Sequence, residues 1–173
     1  MHHMFIMVGN IGCGKSTLTR KLWLRNTKSI VLSRDAIRYM IGSGTYVFDV
    51  GLEPKIKEIE MFMLMRMMAT ERNIIIDEVG ISIGTRYHYL KLAKDYGYCS
   101  HAIILKDPGI REAVARRMKH DARNTPRKIW ESVYKDFLRA WQTPTEKEGF
   151  KFIWKQEVLE AYMDDKKFRG FNV

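Results

Sequence analysis

The segment SRDAIR, residues 33–38, places one carboxylate between two guanidinium groups. Arg34 directly precedes Asp35, and Arg38 follows it by three positions. Such an aspartate suits three roles: the N-cap of a helix, an ion-pair partner, or a general base kept ionised by its neighbours. If a helix starts near Ala36, Asp35 and Arg38 line one rim of it. The choice among these roles depends on what the segment faces.

A glycine-rich segment earlier in the chain fits the phosphate-binding pattern G-x-x-x-x-G-K-[ST]. Its residues are Gly9, Asn10, Ile11, Gly12, Cys13, Gly14, Lys15 and Ser16. Glycines let the backbone curl so that successive N–H groups point inward, and the positive end of the following helix adds to the anion site. We expect Lys15 to neutralise the β- and γ-phosphates of a nucleotide and Ser16 to ligate Mg²⁺. Thr17 is a candidate contact for the α-phosphate.

A second nucleotide-site signal is the apolar run 74–76, which ends in Asp77 and Glu78. A buried strand that ends in an acid commonly places a carboxylate near Mg²⁺ beside a phosphate-binding loop. We predict Asp77 for this role, although the sequence alone leaves the choice between Asp77 and Glu78 open. The alternative is that the acid caps the following turn.

Residues 116–127, RRMKHDARNTPR, form an arginine-rich segment after the fourth predicted strand. Arginines on a mobile lid close over a nucleotide and stabilise the charge that develops on the transferred group. We therefore expect a lid at about 117–127, with Arg117 and Arg123 as its candidate nucleotide contacts. A solvated basic helix is the alternative interpretation.

Short apolar runs alternate with segments of helical periodicity along the chain. The predicted strands are 5–8, 29–32, 74–76, 101–105 and 150–154, and the predicted helices are 16–23, one from about 36, 54–72, 85–96, 110–120, 126–141 and a last one near 157–165. Wholly apolar strands between helices predict an α/β, three-layer fold with a central parallel sheet of four to five strands. Ligands bind such sheets outside the C-terminal strand ends, which places Asp35 and Arg38 at the same edge as the phosphate-binding loop.

The length of 173 residues is typical of one domain. Residues 1–173 are therefore predicted to form a single domain, with a C-terminal strand and helix at about 150–165. No apolar run is long enough to span a bilayer, and the first eight residues lack the features of a signal peptide, so we expect a soluble, cytoplasmic protein without a membrane partner. Cys13 and Cys99 show no metal-ligand spacing with histidine and are interpreted as reduced thiols.

The formal net charge of +10 is concentrated in two segments. Residues 1–40 contain seven basic residues and one acidic residue, and residues 106–139 contain ten basic and five acidic residues. Both segments carry candidate site residues. This placement favours a phosphate-bearing partner, and the size of the excess leaves room for a polyanion such as nucleic acid.

Together these motifs resemble the kinase domain of phage-type polynucleotide 5′-hydroxyl kinases, over about residues 4–140. The element R-D-x-x-R at residues 34–38 is the more specific part of the resemblance. The resemblance implies a P-loop kinase fold with an arginine-bearing lid, ATP as the phosphoryl donor and Mg²⁺ as the cofactor. It further implies a nucleic acid partner with a free hydroxyl group, and a phage protein acting in the host cytoplasm.

The resemblance also implies a role for each matching residue. Lys15 and Ser16 act on ATP and Mg²⁺. Asp35 is the general base on the 5′-hydroxyl group, and Arg38 contacts the phosphate of the acceptor.

In the lid, the resemblance assigns the contact with the donor phosphates to Arg123, with Arg117 as the rival assignment. Residues 77–79, Asp-Glu-Val, depart from the Asp-Thr-Asn more usual after the third strand of the family. The chain contains no D-x-D-x-T phosphatase motif and no K-x-D-G ligase motif, so 3′-phosphatase and ligase activities are not predicted.

The leading functional hypothesis is ATP-dependent phosphoryl transfer to a 5′-hydroxyl of DNA or RNA. One alternative is a kinase of another hydroxyl in nucleic acid, such as a hydroxymethyl pyrimidine base in phage DNA. A second alternative is a kinase of a small metabolite or nucleotide. The charge in the two site-bearing segments favours the nucleic acid hypotheses.

Overall fold

A computed structural model describes residues 1–121 and 123–164. Its strands are β1 (His3–Val8), β2 (Ile30–Leu32), β3 (Ile74–Ile76), β4 (Cys99–Ile104) and β5 (Phe152–Lys155). Its α-helices are α1 (Lys15–Arg25), α2 (Arg34–Ile41), α3 (Glu53–Met68), α4 (Ile83–Asp95), α5 (Ile110–Lys119), α6 (Arg127–Arg139) and α7 (Gln156–Asp164), and a short 3₁₀ helix spans Glu146–Glu148. None of these helices combines the length and apolar character that a membrane span requires.

The five strands form one parallel sheet in the order β2-β3-β1-β4-β5. The central strand β1 pairs with β3 on one side and with β4 on the other. The sheet therefore has a point beside β1 where successive connections leave in opposite directions, which is where such folds bind ligands. The predicted α/β fold with a parallel sheet of four to five strands is confirmed.

Helices cover both faces of the sheet and give the predicted three layers. On one face, Leu64 of α3 and Tyr89 of α4 pack against the buried side chains of β1 and β3. On the other face, Leu18 of α1 and Leu159 of α7 pack in a second buried cluster. Strands buried on both faces read as unbroken apolar runs, as in β3, whose three isoleucines are all buried.

Several helix boundaries differ from the sequence prediction by one to four residues, and two of these differences have a clear local cause. Helix α2 begins at Arg34 instead of Ala36, because the extended residue Ser33 occupies its N-cap position. Helix α3 ends at Met68 instead of continuing to residue 72, since the chain turns there and Glu71 takes a left-handed conformation (φ 57°). In the predicted last helix at 157–165, position 165 lies outside the described residues, as does position 122 of the predicted lid.

A buried group of charged side chains lies between α2, α3 and α4. Arg34 donates from its backbone N and its Nη2 to the two carboxylate oxygens of Glu78, both at 2.6 Å. Glu60 of α3 is fully buried, lies 3.6 Å from Arg34 Nε and accepts a 2.9 Å hydrogen bond from the Tyr89 hydroxyl. One arginine thus faces two glutamates, and a protonated Glu60 leaves a balanced ion pair between Arg34 and Glu78.

Burial raises the pKa of Glu60 to about 7, with the nearby Glu78 carboxylate acting in the same direction. The folded protein therefore holds a proton that the unfolded chain, with an ordinary glutamate, releases near pH 4.5. The contribution of this group to the free energy of unfolding is complete below pH 4.5 and is lost as the pH rises through about 7.

We expect Glu60→Gln to abolish this decrease in the free energy of unfolding, as measured by urea unfolding between pH 4.5 and 8. Glu58→Gln, a change at an exposed position on the same helix, should leave the pH dependence of the free energy of unfolding as in wild type. If the free energy of unfolding of Glu60→Gln decreases with pH in parallel with wild type, the prediction is wrong.

Candidate active site

The phosphate-binding loop connects β1 to α1 at the centre of the sheet. Gly12 and Gly14 both take left-handed conformations, with φ of 65° and 96°. A Cβ atom on Gly12 would lie 2.2 Å from the carbonyl oxygen of Ala113 in α5, so only glycine fits this close approach. The loop leads directly into the N-terminus of α1 at Lys15, whose free N–H groups and dipole favour anions.

The side chains of Asn10 and Ile11 face the protein rather than the interior of the loop. Asn10 Nδ2 donates to the carbonyl oxygen of Tyr134 in α6 at 3.0 Å, while its Oδ1 accepts from the Ile11 N–H at 2.7 Å. Ile11 packs in a third buried cluster with residues of α5 and α6, among them Trp130. Any contact of these two positions with a nucleotide would therefore come from their backbone, which is what the motif requires of them.

Lys15 lies across the loop with its ammonium group among backbone oxygens. Its Nζ donates to the carbonyl oxygens of Asn10 at 2.7 Å and Gly9 at 3.1 Å. The Cys13 Sγ lies 3.8 Å from the same nitrogen. Burial raises the pKa of the Cys13 thiol, so this side chain is a small buried residue with little thiolate character.

The two acidic residues that follow β3, Asp77 and Glu78, have different interaction partners in the structure. The Asp77 carboxylate is hydrogen-bonded to the Ser16 side chain and lies near Lys15. Burial raises the pKa of Asp77, although Ser16 and Lys15 oppose the shift. Glu78 instead points to Arg34, as described above. Ser16 and Asp77 thus present two oxygen ligands beside the loop, which is the donor chemistry that Mg²⁺ takes.

Asp35 lies in the first turn of α2 rather than at its N-cap, which is Ser33. Its Oδ1 accepts hydrogen bonds from Arg38 Nη1 at 2.6 Å and from the Tyr46 hydroxyl at 3.0 Å. Its Oδ2 lies 4.0 Å from Nη1 of Arg117, and the side chain is 48% exposed. The Asp35 carboxylate therefore has one oxygen held in place by two hydrogen bonds and an open path to solvent.

Arg38 is fixed by a second acid that the sequence analysis did not single out. Its Nε and Nη2 donate to the two carboxylate oxygens of Glu53 at 2.9 and 2.5 Å, a bidentate pair, while Nη1 binds Asp35. The guanidinium is mostly buried, and two of its five N–H groups remain beyond these three bonds. The orientation of its guanidinium is therefore set by Glu53 and Asp35 together.

Three arginines from distant segments meet at one tyrosine ring. The guanidinium carbons of Arg38, Arg117 and Arg123 lie 5.9, 5.7 and 5.1 Å from the ring centroid of Tyr46. Arg117 also lies 4.7 Å from the ring centroid of Trp130. We call Arg38, Arg117 and Arg123 the arginine cluster. Both candidate lid arginines therefore reach the side of the sheet edge that carries Asp35.

The segment predicted to form a lid begins in the last turn of α5 and continues through a loop organised by Asp121. This carboxylate accepts from the backbone N–H groups of Arg123 and Thr125 at 3.1 and 2.8 Å, and from Trp130 Nε1 at 3.1 Å. Although burial opposes the shift, these hydrogen bonds hold the pKa of Asp121 well below its usual range. Tyr46, Glu53 and Asp121 carry no motif, so sequence reasoning missed them.

Cys99 lies in a cluster with His3 and His101, which their spacing in the sequence did not predict. Trp154 Nε1 donates to His101 Nδ1 at 3.0 Å, so neutral His101 carries its proton on Nε2, 2.8 Å from His3 Nδ1. Burial lowers the pKa of His101 to about 3, which keeps the ring neutral. If a metal bound His101 Nε2, the proton of the neutral ring would move to Nδ1. Nδ1 could then no longer accept the hydrogen bond from Trp154, so we assign no metal to this cluster.

A parallel sheet with a phosphate-binding loop after its central strand and an acid after the adjacent strand β3 has the P-loop kinase fold. The chain belongs to the AAA domain family, whose model matches residues 4–144. A search of curated proteins gave no match.

Solved structures with this fold include proteins that act on different molecules. A chain of the Pnkp1/Rnl/Hen1 RNA repair complex is 20% identical, with a TM-score of 0.63 over 88% of this chain and 48% of that chain. Kti12 from Chaetomium thermophilum, solved with ADP-AlF3, is 14% identical, with a TM-score of 0.65 over 93% of this chain and 97% of that chain. Shikimate kinase from Acinetobacter baumannii, solved with shikimate, is 16% identical, with a TM-score of 0.59 over 96% of each chain. The chain spans about half the length of the RNA repair protein, and at these identities the likeness shows the fold alone.

Proposed function

We propose that residues 1–173 form one kinase domain that transfers the γ-phosphoryl group of ATP to a 5′-hydroxyl of DNA or RNA. The observation that carries the proposal is the position of Asp35. This half-exposed carboxylate is held by Arg38 and Tyr46, and the strands that precede Asp35, Asp77 and the phosphate-binding loop are neighbours in the sheet order β2-β3-β1. A base and a donor site thus share one sheet edge.

In the proposed reaction, Asp35 accepts the proton of the acceptor hydroxyl. The acceptor oxygen forms a bond to the γ-phosphorus, the bond from that phosphorus to the β–γ bridging oxygen breaks, and its electron pair leaves with ADP. Arg38 and Tyr46 both donate to Oδ1. We therefore assign the proton to Oδ2, whose neighbour Arg117 lies 4.0 Å away.

On the donor side, Lys15 and the N–H groups of the phosphate-binding loop hold the phosphates, and Ser16 and Asp77 are the residues that would hold Mg²⁺. Bound there, Mg²⁺ would neutralise charge on the phosphate oxygens. ADP-AlF3 in the Kti12 structure supports a nucleotide donor for this fold. Arg117 and Arg123, which are only loosely paired with carboxylates, supply positive charge for the negative charge that develops during transfer.

The choice of nucleic acid over a small metabolite rests on charge and resemblance. Seventeen of the chain's 30 basic residues lie in residues 1–40 and 106–139, the two segments that carry the phosphate-binding loop, Asp35, Arg38 and both candidate lid arginines. The R-D-x-x-R element matches the polynucleotide kinases, and one chain of similar fold belongs to an RNA repair complex. A polyanionic acceptor uses positive charge that extends beyond the nucleotide site.

The test is transfer of label from γ-labelled ATP with Mg²⁺ to a panel of acceptors. The panel contains a 5′-hydroxyl DNA and a 5′-hydroxyl RNA oligonucleotide, their 5′-phosphorylated forms, a 5′-phosphorylated DNA duplex with hydroxymethyl pyrimidines, and free nucleosides, shikimate and sugars. We expect label only on the 5′-hydroxyl oligonucleotides. Label on 5′-phosphorylated hydroxymethyl DNA would instead support the modified-base alternative, and label only on small molecules would overturn the nucleic acid proposal.

A further inference from the structure

The segment between α2 and α3, residues 42–52, exposes apolar side chains beside the candidate active site. Phe48 is 50% exposed and Val50 is 75% exposed. Exposed apolar side chains scattered singly are ordinary, but an aromatic ring next to a cluster of cations is a recognised binding element. This segment also supplies Tyr46, which binds Asp35.

Phe48 contacts two members of the arginine cluster. Its ring centroid lies 5.8 Å from the guanidinium carbon of Arg38 and 5.9 Å from that of Arg123. Arg38 in turn donates to Asp35, so a single side chain separates the exposed ring from the proposed base. Tyr46 is a poorer candidate for stacking, because all three arginines lie over its ring and its hydroxyl is bound to Asp35.

Proteins bind unpaired nucleic acid strands with aromatic side chains that lie among arginines. The bases stack on the aromatic rings, and the guanidinium groups attract the phosphate backbone. If the 5′-terminal hydroxyl of an acceptor strand lies at Asp35, the base of the same terminal nucleotide lies near Phe48 and the arginine cluster. Arg117 and Arg123, whose nearest carboxylates lie 4.0 and 3.5 Å away, offer loosely paired guanidinium groups, which favour an anionic strand over an apolar ligand.

We propose that Phe48 stacks on the 5′-terminal base of the acceptor strand, which must be unpaired to reach it. This inference rests on the proposed function and names the element that recognises the acceptor. Stacking does not read base identity, so acceptors that differ only in the terminal base should react at similar rates. A frayed or overhanging 5′ end should react faster than a recessed end, because its terminal base is free.

The test compares a 5′-hydroxyl oligonucleotide with the same oligonucleotide carrying an abasic 5′-terminal residue. We expect wild type to lose about 5- to 100-fold in kcat/KM on the abasic acceptor, with an unchanged KM for ATP. Phe48→Ala should lose a similar factor on the normal acceptor and no longer distinguish the two. Phe48→Trp should retain the discrimination.

Phe62→Ala is the matched control, because Phe62 is a 60% exposed phenylalanine in the middle of α3. It should behave as wild type on both acceptors. If wild type uses both acceptors equally, or if Phe48→Ala still distinguishes them, the stacking proposal is wrong while the proposed function stands. Absence of transfer to every oligonucleotide would overturn both.

Discussion

Asp35→Asn is expected to lower kcat for phosphoryl transfer by about 10²–10⁴-fold, the usual contribution of a general base. Asparagine keeps the size of the side chain and can still accept from Arg38 and Tyr46, but it cannot take the acceptor proton. Binding of ATP should change little, since Lys15 and the phosphate-binding loop hold the donor. Single-turnover kinetics and nucleotide titration measure the two effects separately.

Tyr46→Phe is the control for this experiment, because it removes one hydrogen bond to Asp35 and leaves the carboxylate in place. Its loss in kcat should be much smaller than that of Asp35→Asn. If Asp35→Asn turns over within a few-fold of wild type, Asp35 serves only as the ion-pair partner of Arg38.

Arg123→Ala is expected to lower kcat by about 10³–10⁵-fold, the range found for arginines that stabilise a transferred phosphoryl group. Arg123 lies in the loop between α5 and α6 with its side chain 37% exposed, and its ion pair with Asp121 is loose at 3.5 Å. This exposed and loosely paired side chain can turn from Asp121 toward the donor phosphates. Arg123→Lys should recover only part of the rate, since lysine lacks the planar fork.

Arg117→Ala provides the comparison that decides between the two lid arginines. The Arg117 guanidinium packs on Trp130 and lies near Asp35, with its side chain 28% exposed. We expect it to position the lid and the base, and therefore to cause a smaller loss in kcat. A larger loss for Arg117→Ala than for Arg123→Ala would reverse the assignment.

The phosphate-binding loop could be predicted from the sequence because its residues are contiguous and because the left-handed backbone at Gly12 and Gly14 favours glycine. The fold class was equally accessible, since buried parallel strands appear as short apolar runs between helices. Helix boundaries were less accurate: the sequence prediction started α2 at Ala36, whereas Ser33 in an extended conformation starts it at Arg34.

The hydrogen-bond partners of the site residues could not be predicted from the sequence. Tyr46 lies 11 positions from Asp35, Glu53 lies 15 positions from Arg38, and Glu78 lies 44 positions from Arg34. No periodicity or motif relates such pairs. Only their packing at one edge of the sheet brings them within hydrogen-bonding distance.

The sequence by itself determined the α/β class, the phosphate-binding loop and the candidate pair of Asp35 and Arg38, because each depends on neighbouring residues and local backbone geometry. The tertiary structure decided that Asp77 rather than Glu78 approaches Ser16, and that Glu53 orients Arg38. It also decided that both candidate lid arginines, Arg117 and Arg123, lie over the ring of Tyr46. These outcomes depend on where strand ends and loops converge in space, a property that hydrogen bonding and packing set over long stretches of chain.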